Sequence, residues 1–89
     1  MKIIEGFRLR NVVGESIVVG EGVEQIDFNK LVTLNKTAAF LWQSVENREF
    51  TTSDLALLLI ENYDIPADRA IRDAAFVVEE WNKNGLISI

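Results

Sequence analysis

Leu31-Val32-Thr33-Leu34-Asn35-Lys36-Thr37-Ala38-Ala39-Phe40-Leu41-Trp42 is where the chain changes character. Its first four residues are apolar or β-branched, with no charge and no Pro, the pattern of a short strand. Asn35 then stands where a helix cap is needed, because its side-chain oxygen can accept from the free N–H groups of a first turn. Ala38, Leu41, Trp42 and Val45 follow at helical spacing, which predicts a helix from Lys36 to about Asn47.

Upstream of Asn35 lie the β-rich runs and four of the five glycines. Phe7 to Val13 alternates Phe7, Leu9 and Asn11 against Arg8, Arg10 and Val12, and Gly14-Glu15 supplies a tight turn into a second strand, Ser16 to Val19. Gly20 and Gly22 break that strand. Gln25 to Phe28 and Leu31 to Leu34 are strand-like, and Asn29-Lys30 is a turn or bulge between them, so the third strand is either kinked or two strands.

Downstream, Thr51 and Asp54 form a capping-box pattern ahead of Leu55, Leu58, Leu59 and Tyr63, which predicts a second helix. Pro66 suits a first helical turn, where its missing N–H costs nothing, and Gly85 closes a third helix that reaches Lys83 or Asn84. Strands first and helices second define an α+β fold. At 89 residues and 48% hydrophobic content the chain has one core, so residues 1–89 read as a single domain.

Composition removes much chemistry. With no Cys and no His there are no thiolate nucleophiles, imidazole bases or common zinc ligand sets. Nine basic against fourteen acidic residues give a net charge of −5, the wrong sign for a nucleic-acid surface. Met1 to Gly6 lacks a signal-peptide core and no run approaches a membrane span, so the expectation is a cytoplasmic protein with no membrane or nucleic-acid partner. Glu79 and Glu80 are adjacent on a helix and point about 100° apart, which makes them solvated surface rather than a shared proton or metal site. Ser53-Asp54-Leu55 reverses the order of a phosphopantetheine attachment motif and reads as a helix cap. No catalytic, metal or cofactor site follows from these residues.

Two features ask for a partner. On the third helix Ala67, Ala70, Ile71, Ala74, Val78 and Trp81 collect on a core stripe, with Val77 and Ala75 at its margins. Phe76 falls on the polar side among Arg69, Arg72, Asp73, Glu80 and Lys83, so it either packs beneath another element or meets a partner. Three short strands cannot close a barrel, and Leu31-Val32-Thr33-Leu34 carries no charge or Pro to blunt an edge. At an edge beside the third helix it would accept an extended peptide; in the middle of the sheet it would not.

The segments Phe7 to Arg10, Gly14 to Val19 and Asp27 to Trp42 together resemble the PqqD-like family of pyrroloquinoline quinone biosynthesis chaperones, which define the RiPP recognition element. Its sharpest part here is Leu34-Asn35-x-Thr37-Ala38-Ala39-x-Leu41-Trp42. Phe50-Thr51, Tyr63-Asp64 and Gly85-Leu86-Ile87 extend the similarity over nearly the whole chain. The resemblance implies a winged-helix-like fold, a three-stranded antiparallel sheet followed by three helices, without catalysis. It implies that the leader of a ribosomally made precursor peptide adds as a strand to Leu31, Val32, Thr33 and Leu34, with Arg69, Arg72, Asp73 and Phe76 on the facing helix. Arg69 and Arg72 would then meet acidic leader side chains. The implied partner enzyme, a radical-SAM maturase, would act in trans.

Two further readings compete. A winged-helix transcription regulator fits the fold but not the third helix, which has Arg69, Arg72 and Lys83 against Asp68, Asp73, Glu79 and Glu80. A homodimer would satisfy its own strand edge.

Overall fold

The computed structural model describes residues 1–21 and 31–89. The strand expected over residues 25–28 and the turn at residues 29 and 30 lie outside the described residues. A hairpin of β2 (Phe7–Val12) and β3 (Glu15–Gly20), following a two-residue β1 (Lys2–Ile3), is joined by β4 (Leu31–Leu34) into a three-stranded antiparallel sheet of order β2-β3-β4. Three helices follow: α1 (Lys36–Val45), α2 (Thr52–Tyr63) and α3 (Ala67–Lys83). The fold is α+β, as the sequence implies.

Period-two alternation sets the sheet's faces. Arg8 pairs with Val19 and Leu9 with Val18, and Val18 in turn pairs with Val32, so Phe7, Leu9, Val18, Val32 and Leu34 point inward. Leu31 and Thr33 point outward and are exposed.

The hairpin turn falls one residue earlier than expected. Val13 and Gly14 are its two central residues, both at positive φ, +51° and +80°. That geometry matches the sheet's twist and favours Asn-Gly, whereas a β-branched residue is strained there. Val13 is also 98% exposed, so no packing repays the strain. Val13→Asn is expected to raise stability by about 1 kcal/mol, read as a higher urea midpoint at an unchanged slope.

The helix caps form as the residues dictate. Asn35 Oδ1 accepts from the Ala38 N–H at 2.8 Å. Thr51 Oγ1 accepts from the Asp54 N–H at 3.1 Å, and Asp54 Oδ2 accepts from the Thr51 N–H at 2.9 Å, a complete capping box. Helix α1 stops at Val45, two residues short of expectation: Glu46 already takes an extended ψ of 144°, and Asn47 then turns to φ +71°.

Trp42, Trp81 and Phe50 form the centre of the core, all at most 2% exposed. The Trp42 and Trp81 rings meet edge to face at 5.3 Å, and Phe50 meets Trp81 the same way at 6.2 Å. The Trp42 indole N–H finds no acceptor among the described residues, a cost of about 1–3 kcal/mol that the packing must offset. Ala70 and Ala74 are fully buried and bring α3 close to α2. Ile71 is 57% exposed rather than core, because the buried stripe of α3 centres on Ala70, Ala74 and Trp81, about 80° away around the helix.

One element is new. Gly85, at φ +72°, turns the chain out of α3 into β5 (Ile87–Ser88), which pairs with β1 as Lys2 with Ser88 and Ile3 with Ile87. Two-residue strands are too short to leave an alternation in the sequence. No helix among the described residues is long and apolar enough to cross a membrane.

Candidate functional site: the groove between β4 and α3

Strand β4 pairs with β3 on one side only, and no described strand occupies its other side. In an antiparallel ladder every second residue turns both its N–H and its C=O away from its partner, so β4 presents main-chain donors and acceptors along a free edge. Asn35 ends the strand by capping α1, which holds the edge in place. Beside that edge runs α3, the longest helix.

Between them lies a hollow of about 200 Å³. Val32, Thr33, Leu34 and Asn35 form its sheet wall, and Phe76, Val77, Glu80, Trp81 and Asn84 its helix wall, with Ala38 between. The helix wall follows from spacing. At about 100° per residue, Phe76, Glu80 and Asn84 descend one flank of α3, three turns of i,i+4 neighbours that border the buried stripe. Phe76 is 63% exposed and so has no covering element among the described residues. Asn84 is tied back into the helix, its side-chain amide donating to the Glu80 carbonyl at 2.8 Å.

Glu80 is partly buried at this wall, and its side chain makes no ion pair or hydrogen bond among the described residues. A carboxylate beside Phe76, Val77 and Trp81 keeps its charge cheaply only while water reaches it.

Of the residues singled out from the sequence, the structure brings Val32, Thr33, Leu34 and Phe76 together in the hollow. Leu31 stands just outside, 68% exposed on the strand's outer face. Arg69 and Asp73 continue the flank of Phe76 toward the start of α3, outside the hollow's lining, and pair with each other at 3.6 Å. Arg72 is exposed and lies about 40° from Phe76 around the helix, one turn before it on the row that continues to Glu80 and Asn84, but outside the hollow's lining.

Sequence reasoning missed Val77, Glu80 and Asn84 as groove residues and treated Glu80 as plain surface. The available signal was the four-residue step from Phe76 to Glu80 and again to Asn84. A second hollow of about 330 Å³ is formed by residues 2–8 with Glu46 and Asn47, and it touches neither β4 nor α3. No group of three or more potential metal ligands gathers among the described residues.

Fold and groove together define a small α+β domain that keeps one sheet edge open beside its longest helix. The family model of PqqD, described as coenzyme PQQ synthesis protein D, matches residues 15–87, from the start of β3 into β5. The chain belongs to the PqqD family. That family serves coenzyme PQQ synthesis as accessory proteins rather than enzymes. No curated protein and no solved structure matches the chain.

Proposed function

We propose that this chain is a non-catalytic peptide chaperone that takes the leader of a ribosomally made precursor as a fourth strand on β4 and presents it to a modifying enzyme. The observation that carries this reading is the free edge of Leu31 to Leu34 lying beside an uncovered Phe76. Main-chain pairing supplies affinity for almost any extended peptide, and the α3 wall selects side chains. Val32, Thr33 and Leu34 are the pairing strand with Leu31 at its start, and Phe76 is the central anchor. A leader that runs past Phe76 toward the start of α3 meets Arg72 and Asp73 next, and then Arg69, which pairs with Asp73. The modifying enzyme is a radical-SAM maturase supplied in trans, and the exchange takes place in the cytoplasm.

Removing the anchor tests this. Phe76→Ala is expected to weaken binding of the precursor's leader by about 1–3 kcal/mol, roughly five- to 150-fold, with the unfolding transition unchanged because the ring is mostly exposed. Equal affinities in a calorimetric titration would take Phe76 out of the site.

A further inference from the structure

Occupying the groove creates a charge problem that the occupant must solve. A strand laid along β4 displaces water from the α3 wall, and with it the hydration of the Glu80 carboxylate. Among the described residues no cation is paired with it: Arg69 is about three turns away and paired with Asp73, Arg72 is about two turns up the same row, and Lys83, three residues on, is exposed and makes no ion pair with Glu80. The Asn84 side-chain amide donates to the Glu80 main-chain carbonyl. A carboxylate that loses water without gaining a partner is costly, so peptides bringing a cation are favoured over those bringing an apolar or acidic group.

The spacing of the wall fixes where that cation must sit. Phe76 and Glu80 are four residues apart, which is about 6 Å along a helix axis. Side chains on one face of a strand recur every two residues, at about 6.6 Å. A peptide strand running along α3 therefore sets one side chain against Glu80 and the next on the same face against Phe76 and Val77. Resting on the strand-addition reading above, we infer that the groove selects a leader with Lys or Arg two residues from a large aliphatic or aromatic side chain, the basic residue pairing with Glu80. The net charge of −5 draws such a peptide in and repels an acidic one. It adds a basic contact at the Glu80 end of the wall, opposite in sign to the acidic leader residues that the resemblance implies at Arg69 and Arg72.

A random-peptide display library panned against the intact protein tests the selection without knowledge of the natural leader. Wild type is expected to enrich Lys or Arg over Asp or Glu at that one position by roughly ten- to 100-fold, the scale of a charge-assisted hydrogen bond in a shielded site. Glu80→Gln should abolish that preference while still capturing peptides, and Glu80→Lys should turn it toward Asp or Glu. Glu79→Gln changes the net charge equally on a neighbouring exposed face and should leave the preference intact. Captured peptides with no charge preference at any fixed position, or a preference that survives Glu80→Gln, overturn the role of Glu80 and leave strand addition standing. If no peptide is captured, if capture is indifferent to N-methylation of the peptide backbone, or if the chain self-associates through β4 and refuses peptides, strand addition falls and the inference falls with it.

Discussion

Trp81→Ala is expected to leave a large share of the chain unfolded under conditions where wild type is fully native. Trp81 is 2% exposed and joins three parts of the molecule: it packs edge to face on Trp42 of α1 and on Phe50 ahead of α2, and its carbonyl accepts the Leu86 N–H at 2.9 Å. Truncating such a ring costs about 3–5 kcal/mol, the surrounding helices being unable to collapse fully into the gap. A domain of this size holds only about 4–13 kcal/mol in total. Trp81→Phe keeps much of the volume and should cost about half as much or less. Urea titrations of both variants check this, and near-equal midpoints for Trp81→Ala and wild type would show that the aromatic cluster is not the keystone it looks to be.

Proline scanned through a bound leader is expected to show a two-residue rhythm. Residues of an added strand alternate between those whose N–H faces β4 and those whose N–H faces away. Proline at a facing position deletes a ladder donor and sets its ring against the edge, a loss of about 3 kcal/mol or more, which is at least roughly 100-fold in affinity. At the alternate positions the effect should be several-fold at most, since an outer-edge strand tolerates Pro with its ring toward solvent. A flat scan, or losses in a three-to-four residue rhythm, would mean that the peptide binds as something other than a β-strand. This measurement separates pairing with Leu31 to Leu34 from side-chain capture by Phe76 alone.

The parts of this fold legible in the sequence are those fixed by local chemistry. Asn35, Thr51 with Asp54, and Gly85 each mark a helix end through one hydrogen bond or one backbone angle, and each stands where its residue type predicts. The order of strands and helices was legible for the same reason. The β1–β5 pairing was not, because it joins residues more than eighty positions apart through two pairs and leaves no periodic trace. Ile71 misled because a helical wheel orders side chains by angle without knowing which angle faces the neighbour; the close approach allowed by Ala70 and Ala74 decided it. In the candidate site, Phe76 was visible as an apolar residue on a polar face. Glu80 was not, because a carboxylate on a helix looks the same from sequence whether it faces open water or a wall of aromatic carbon.

The β1–β5 ribbon makes the two ends of the domain hostages to each other. Ile3 and Ile87 are each other's partners, and the Ile4 N–H donates to the Leu86 carbonyl at 2.9 Å, one residue beyond the Gly85 turn that follows Asn84. A protease that trims Lys2 and Ile3 would therefore fray the far terminus as well, and with it the support beneath the last turn of α3. Damage at one tip is thereby transmitted to the groove beside β4, and on the proposed reading a fusion tag that tugs on either tail would blunt peptide capture without touching a single groove residue.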